Sequence, residues 1–324
     1  MEIENKVASV DEFLKVILSK TVNSPNYNEA FNLFWFRGES SEDFKTSLVP
    51  NAYRTLVNAV KLKGIDDLLD SKTIKSIEQN VKAEFHRKAL PYIISRKIED
   101  NDWNRYFLMQ HYKIQTRLLD WTESALLALF FAILDNNRSD AKVWILKPFD
   151  LNNYTIQSIV PSEKDCYLIP PTNVHRAQDI KNKEGKLLNK GELLNELTRR
   201  YLQMDFNRED TRDSNIYYPL AISPSFLDQR MSAQKSCFTI FGNKINGLHT
   251  MECKEILDYI LIDWKRKEDI LNELRIIGVD FSSIYPDLDG LGNSIASKFK
   301  QEYENKDEVE LFNAKLKGLI KYVD

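Results

Sequence analysis

Apolar positions recur at helical spacing over long parts of the chain. Residues 73–94 repeat an apolar side chain every four or five positions, which predicts an amphipathic helix. Residues 124–134 are apolar almost throughout and predict a buried helix. Ser9, followed three residues later by Glu12, is typical of the start of a helix. Further helices are predicted at residues 103–112, 191–204, 267–277, 291–303 and 307–322.

Short runs of aromatic and β-branched residues predict strands between these helices. The runs lie at residues 33–39, 142–146, 236–242 and 259–262, with a further extended stretch at 217–222. Helices and strands alternate irregularly along the chain. This order predicts an α+β fold, a small mixed sheet with surrounding helices, rather than a regular βαβ array.

The same pattern suggests three parts. Residues 1–27 carry an N-terminal helix, residues 28–293 form the main domain, and residues 294–324 carry C-terminal helices. Residues at about 150–215 are rich in Asn, Lys, Glu and Asp and are interpreted as a polar insertion. Either a substrate loop or a passive insertion fits that composition.

Composition excludes several classes of protein. The chain has 324 residues, 43% of them hydrophobic, and a net charge of -3, so no global charge marks a nucleic-acid binder. The longest apolar run, residues 125–134, is far short of the roughly 20 residues that span a bilayer. We therefore expect a cytoplasmic protein without a membrane contact. Neither a phosphate loop nor a Rossmann glycine fingerprint occurs, and Cys166, Cys237 and Cys253 lack the spacing of metal ligands.

Residues 110–124 hold the densest chemistry, with amide, imidazole, phenol, guanidinium, carboxylate and indole groups before the apolar helix. His111 and Tyr112 could act as acid, base or stacking groups, although a lone histidine is more often a hydrogen-bonded core residue. Asp120 could orient an arginine, cap the following helix or act chemically. Capping by Asp120, or equally by Thr122, is the simplest interpretation, and the helix start would then present N–H groups to an anion.

Arg37 follows three aromatic residues and is costly to bury unless it is paired. Its guanidinium could hold a phosphate or carboxylate, with Gly38 allowing a close approach, or it could form an internal ion pair, for example with Asp120. Gln234, just before a strand, could bind a ribose or simply hold a loop.

Together these segments resemble the FRG domain family, named for a Phe-Arg-Gly signature. The signature here is Phe36-Arg37-Gly38. A second block runs from Gln110-His111-Tyr112 to Thr116-Arg117-Leu118-Leu119-Asp120-Trp121-Thr122. Two later blocks are Arg230-Met231-Ser232-Ala233-Gln234 with Phe238-Thr239-Ile240, and Glu273-Leu274 through Gly278 to Tyr285-Pro286-Asp287-Leu288-Asp289-Gly290-Leu291. The resemblance covers roughly residues 28–293, apart from the insertion.

The chain departs from this family at two turns. Members usually carry a glycine–proline type turn before the Thr-Arg-Leu-Leu-Asp block, where this chain has Lys113-Ile114-Gln115. They also usually carry a glycine after the Gln block, where this chain has Lys235-Ser236-Cys237.

The block order is in turn similar to that of ADP-ribosyltransferases, which implies an ADP-ribosyltransferase-like fold and NAD as the cofactor. Those enzymes have an aromatic-arginine motif on an early strand, a Ser/Thr motif leading into a helix and a strand, and a late Glu or Gln at a strand edge. Arg37 would take the first place, Thr122 and Ser124 the second, and Gln234 the third.

This resemblance implies a role for each candidate residue. Arg37 would hold the NAD pyrophosphate, Tyr112 or Trp121 would stack on nicotinamide, and Gln234 would contact its ribose or position the acceptor. Because Gln234 is neutral, Glu39 or Asp120 would have to supply a carboxylate. We therefore expect catalytic roles for Arg37, Asp120 and Gln234 and cofactor contacts from Arg37, Gly38, His111, Tyr112, Arg117, Trp121 and Thr122.

Three functions remain open at this point. The first is an NAD-using toxin or phage-defence effector that modifies a protein or nucleic acid and works with an antitoxin or defence partner. The second is a non-catalytic nucleotide- or nucleic-acid-binding module, in which Arg37 and Arg117 contact phosphates. The third is a scaffold whose polar residues form only a packed network. Reactive groups beside a helix start favour the first, and a site without glutamate favours the second.

Overall fold

One open mixed sheet organises the part of the chain that the structure describes. The computed structural model describes residues 6–22, 34–54, 71–135, 137–159, 161, 167–170, 190–204, 216–251 and 255–304. Within these residues the sheet has seven strands in the order β1-β7-β4-β2-β3-β6-β5. They are β1 Lys6–Val7, β2 Trp35–Glu39, β3 Leu118–Thr122, β4 Ala141–Leu146, β5 Leu220–Ile222, β6 Ser236–Ile240 and β7 Leu257–Ile262.

Helices cover the sheet on both faces, and the predicted α+β fold is confirmed. The described helices are α1 Val10–Lys20, α2 Ser71–Ser95, α3 Asp102–His111, α4 Ala125–Ile133, α5 Pro148–Ile159, α6 Lys190–Gln203, α7 Gln229–Ala233, α8 Lys267–Ile276, α9 Phe281–Ile284 and α10 Leu288–Glu304. Apolar side chains of α1, α4, α8 and α9 form one core with β1, β4 and β7. Those of α3, α5 and α6 form a second core around β3, β5 and β6.

The sheet divides into two halves that are joined by very little backbone pairing. β2 pairs with β4 over five residues, and β3 pairs with β6 over five residues. Between β2 and β3 the pairing is a single antiparallel position, Phe36 opposite Thr122. The two half-sheets, β1-β7-β4-β2 and β3-β6-β5, therefore separate on either side of this one bridge, and the separation leaves room for a cleft.

Helix α4 lies directly on β2 because Gly38 has no side chain. A Cβ atom at this position would lie 2.1 Å from the carbonyl oxygen of Ala128 and 2.6 Å from the backbone nitrogen of Ala132. Strand alternation places Phe36 and Gly38 on the face that α4 covers, and Arg37 on the opposite face. The glycine of the signature thus serves helix packing.

Ser124 caps helix α4, and the predicted capping by Asp120 or Thr122 is wrong. The Ser124 side chain accepts a hydrogen bond from the backbone N–H of Leu127. Asp120 and Thr122 instead belong to β3, which was not predicted as a strand. Four of the five residues of β3 are buried, so the strand shows no alternation of apolar and polar positions, and the capping pattern predicts a helix start two to four residues too early.

The N-terminal residues are part of the same sheet. Ser9 caps α1 as predicted, accepting from the N–H of Glu12. Just before it, β1 pairs in parallel with β7, and the N–H of Val10 donates to the Glu273 carboxylate at 2.7 Å. At the other end, the expected boundary at residue 294 falls inside the continuous helix α10.

Part of the polar stretch at residues 150–215 packs into the core. Leu151 and Ile156 of α5 are fully buried, and the Asn152 side chain bonds both backbone groups of Ala221. Pro148 follows a predicted strand and was taken only as its end. The structure shows that it also begins helix α5, since proline is favoured in the first turn of a helix. Residues 171–189 and 205–215, and the predicted helix at residues 307–322, lie outside the described residues.

Among the described residues, no helix combines the length and the apolar character that crossing a bilayer requires.

Candidate functional site

A cleft of about 350 Å³ opens where the two half-sheets separate. Segments far apart in the sequence line it, and most of the predicted site residues are among them. These are Arg37 and Gly38 from β2, His111 from α3, Asp120, Trp121 and Thr122 from β3, and Gln234 from the turn after α7. Gln110 of α3, which was not predicted as a site residue, lines the cleft beside them.

Arg37 spans the opening between the half-sheets. Its Nη1 donates to the carbonyl oxygen of Asp120 at 2.9 Å, and its Nε donates to Oε1 of Glu39 at 3.3 Å. Only 15% of the side chain is exposed. Within the described residues its Nη2 has no hydrogen-bond partner, so one face of the guanidinium can bind an anion. The ion pair is with Glu39, which corrects the expected pairing with the Asp120 carboxylate.

Glu39 is a buried support for Arg37 and is not one of the residues that line the cleft. Its carboxylate accepts hydrogen bonds from Ser47, from the N–H of Leu48 at 3.1 Å and from Trp144 Nε1 at 2.9 Å, as well as from Arg37. Burial alone would raise the pKa of Glu39, but the Arg37 charge and these hydrogen bonds outweigh it and hold the pKa below its usual value. Glu39 is therefore ionised and already fully engaged.

Asp120 is the carboxylate of the cleft. Its side chain is exposed, and Oδ2 accepts from Nε2 of Gln110 at 2.7 Å. The hydroxyl of Thr116 donates to the other end of the Gln110 amide. This relay orients the Gln110 amide, which in turn orients the carboxylate. Among the described residues that line the cleft, Asp120 is the only acidic one.

Thr122 joins β3 to the end of α7. Its hydroxyl donates to the carbonyl oxygen of Gln234 at 2.7 Å and accepts from the N–H of Ser124 at 3.1 Å. The Gln234 N–H bonds back to Arg230 within α7. The Thr122 hydroxyl is therefore engaged in holding the turn, while the Gln234 side chain lines the cleft.

His111, which lines the cleft, lies close to the Asp228 carboxylate. Nε2 of His111 lies 3.1 Å from Oδ2 of Asp228, whose other oxygen caps α7 through the N–H of Met231. Burial lowers the pKa of His111 more than Asp228 raises it, and Arg230 lowers it further. The imidazole is therefore mainly neutral at neutral pH.

Arg117 lies outside the cleft, contrary to its expected contact with a cofactor. Its guanidinium is fully buried, 3.2 Å from the Glu78 carboxylate. It also donates to the carbonyl oxygens of Phe241 and Tyr201, each at 2.7 Å. These bonds connect α2, β3, α6 and the end of β6, so Arg117 supports the core.

The two aromatic residues expected to stack on nicotinamide are placed differently. Tyr112 is 47% exposed and lies against Arg96, beside an apolar groove formed with Tyr92 and Leu108. Trp121 reaches the cleft, but it is only 3% exposed and its Nε1 donates to the Thr239 hydroxyl at 3.1 Å. Trp121 is thus part of the cleft floor and offers no free ring face.

Sequence reasoning missed several residues that line the cleft. They include Lys113, Phe131, Arg230 and Tyr285. Two of them, Arg230 and Tyr285, stand inside the blocks of the family resemblance, which was the available signal, although no role followed from it. The described residues hold no group of three or more His, Cys, Asp or Glu side chains arranged for a metal ion.

These features define an α+β protein with a polar cleft between two half-sheets. Residues 32–141 match the model of the FRG domain, so the chain carries an FRG domain over this segment. The match includes Arg37, Gly38 and Asp120 but ends before Arg230 and Tyr285. No curated protein and no solved structure matches the chain.

Proposed function

We propose that the cleft binds NAD and that the protein transfers its ADP-ribose group to a protein or nucleic acid. The observation that carries this proposal is that Arg37, Asp120 and Gln234, from three distant segments, line one cleft at the opening of the sheet. Such an enzyme would act as a toxin or phage-defence effector held in check by a partner protein.

The charges around the cleft suit a dinucleotide. Within the described residues the Nη2 of Arg37 has no hydrogen-bond partner, Lys113 adds a second cation for the pyrophosphate, and Arg230 adds to the positive charge of the cleft lining. A partly buried guanidinium binds phosphate oxygens strongly, because its hydrogen bonds are charge-assisted. Asp120 supplies the negative charge that a positively charged nicotinamide ring requires.

The chemistry would break the bond between C1′ of the ribose and the nicotinamide nitrogen. The electron pair of that bond leaves with nicotinamide, and positive charge develops on the ribose. Asp120 would stabilise this charge and accept the proton that the acceptor nucleophile loses as it bonds to C1′. Gln110 holds the Asp120 carboxylate in place, and the Gln234 amide can bond a ribose hydroxyl.

A non-catalytic nucleotide-binding module is the second candidate. Asp120 is the only carboxylate among the described residues that line the cleft, because Glu39 is paired with Arg37 and Gln234 is neutral. A site with so little negative charge favours binding without catalysis. In that case the cleft would bind the ligand and keep it intact.

Purified protein would be incubated with NAD labelled in the phosphate and with cell extract, following nicotinamide release and labelling of macromolecules. Asp120→Asn and Arg37→Gln should each lower release by about 100-fold or more while the variants stay folded. Glu123→Gln and Arg87→Gln are matched controls, because both residues are exposed and neither lines the cleft.

The outcomes separate the two candidates. If NAD raises the melting temperature of the wild type but no nicotinamide is released, the protein is the binding module. If NAD neither stabilises the protein nor is cleaved, the transferase proposal is rejected, and a module that binds another nucleotide or nucleic acid is the candidate that remains. Labelled protein or labelled nucleic acid would identify the acceptor class.

A further inference from the structure

We propose that Arg230 and Tyr285 form the subsite for the adenine base of the dinucleotide, with the nicotinamide at Asp120. This inference rests on the proposed function for the identity of the ligand. It assigns a role to two residues that lie outside the matched FRG segment.

The two side chains form a stacked pair at the cleft. The guanidinium carbon of Arg230 lies 4.5 Å from the ring centroid of Tyr285, and both residues line the cleft. Planar surfaces of this kind, an arginine fork and an aromatic ring, are the usual platforms for a nucleobase. Within the described residues no carboxylate lies within ion-pair distance of Arg230, so its charge is not neutralised.

The Tyr285 ring is held in place before any ligand arrives. Phe281 stacks on it at 6.3 Å, and Phe131 meets its edge at 6.5 Å. The backbone is fixed as well, because Gly290 packs so closely that a Cβ atom there would lie 1.9 Å from the Tyr285 carbonyl oxygen. The Gly290 N–H is itself bonded to the Asp287 side chain at 2.7 Å. A fixed ring loses little freedom on binding a base.

Charge decides which base occupies this pair. The nicotinamide ring of NAD is positively charged, and the unneutralised Arg230 repels it. Adenine is neutral and stacks on an arginine plane without this penalty. The only carboxylate in the described cleft lining is Asp120, which attracts the nicotinamide ring instead. Arg37, whose Nη2 has no partner within the described residues, then binds the pyrophosphate that joins the two halves.

The two ends of the ligand also meet walls built from different helices. Phe131 belongs to α4 and Tyr285 follows α9, on the face where α1, α4, α8 and α9 pack. Gln110, which orients Asp120, belongs to α3, whose core is on the other face. A ligand that contacts both walls must span the opening between the half-sheets, as a dinucleotide can.

The test compares two mononucleotides that differ in the base. AMP and nicotinamide mononucleotide both carry a phosphate, so their affinities, measured by calorimetry, isolate the contribution of the base. Tyr285→Leu should lower the affinity for AMP and for NAD about 10-fold and leave the affinity for nicotinamide mononucleotide unchanged. Tyr285→Phe, which keeps the ring, should bind all three like the wild type. Arg230→Gln is a second variant, which should weaken AMP more than nicotinamide mononucleotide.

Each result bears on this inference separately from the transferase reaction. Tyr285-dependent binding of AMP supports the subsite even if nicotinamide is never released, in which case only the catalytic proposal fails. Equal AMP affinity in wild type, folded Tyr285→Leu and Arg230→Gln would overturn the subsite. So would a loss confined to nicotinamide mononucleotide, or an absence of adenine-nucleotide binding to the wild type.

Discussion

Arg37 donates a hydrogen bond of 2.9 Å to the carbonyl oxygen of Asp120, and this contact crosses the gap between the two half-sheets. β2 and β3 otherwise share one backbone pairing, at Phe36 and Thr122. The same guanidinium therefore bridges the opening, and its Nη2 has no hydrogen-bond partner among the described residues. Glu39 accepts a hydrogen bond from Nε of the same guanidinium. The geometry of the cleft therefore depends on a buried carboxylate that does not line it.

Glu39→Gln should lower the free energy of unfolding by about 3 kcal/mol at neutral pH, because it breaks a buried ion pair. The hydrogen bonds from Ser47 and Trp144 would also meet an amide N–H group. Urea unfolding measures the change. Glu42→Gln, an exposed neighbour, should cost less than about 0.5 kcal/mol and serves as the control.

The same ion pair predicts a dependence of stability on pH. The pKa of Glu39 is lowered in the folded protein, so its contribution is complete above the unfolded value of about 4.3 and is lost as the pH falls through the lower folded pKa. The stability difference between wild type and Glu39→Gln should therefore shrink below about pH 4. A difference that stays constant down to pH 3 would show that Glu39 contributes no titrating charge.

Gly38→Ala should destabilise the protein by about 2–3 kcal/mol, since the new Cβ atom would meet the backbone of α4 at Ala128. Gly292→Ala is the matched control. Gly292 lies in α10 with open space around its Cβ position, so this change should stabilise by about 1 kcal/mol. Urea unfolding of both variants measures whether Gly38→Ala lowers the free energy of unfolding and Gly292→Ala raises it. Equal effects would mean that α4 can shift to accept a methyl group.

Arg117→Met should cost about 3–5 kcal/mol of stability, because it leaves the Glu78 carboxylate buried without its partner. The double change Arg117→Met with Glu78→Leu should cost less than the sum of the single changes, and a double-mutant cycle measures the coupling. Arg87→Met, at an exposed i,i+3 pair, is the control. If Arg117→Met kept full stability but lost ligand binding, Arg117 would contact the cofactor, as the family resemblance implies.

Local signals in the sequence predicted most helices and the longer strands. The periodicity of residues 73–94 and the apolar run after Ser124 correspond to α2 and α4. Short elements gave no such signal. β1 has two residues, and β3 has four buried residues out of five and therefore no alternation of apolar and polar positions.

The site was predictable as a group and less so in detail. Arg37, Asp120 and Gln234, which the motif resemblance grouped, line one cleft, but the direction of each side chain depends on distant partners. Arg117 points into the core because Glu78 of α2 lies there, and no spacing within the Arg117 motif contains that information. The partnership of Arg230 with Tyr285 is equally long-range.

The two departures from the family pattern are positions of backbone strain. Lys113 and Lys235 have positive φ angles of 61° and 46°, in the left-handed region that glycine adopts freely. Members of the family usually carry a glycine in each of these turns. In this chain a lysine adopts the same backbone conformation, at a cost in conformational strain.

Lys235→Gly and Lys113→Gly should each therefore stabilise the protein by about 1 kcal/mol in urea unfolding, because the strain of a side chain in this conformation exceeds the entropy that glycine adds to the unfolded chain. The two variants should differ in binding. Lys113 lines the cleft and Lys235 does not. Lys113→Gly should therefore lower the affinity for NAD about threefold, while Lys235→Gly leaves that affinity unchanged. Equal affinities in both variants would remove Lys113 from the anion site, and destabilisation by either glycine would mean that the lysine stem contributes packing that outweighs its backbone strain.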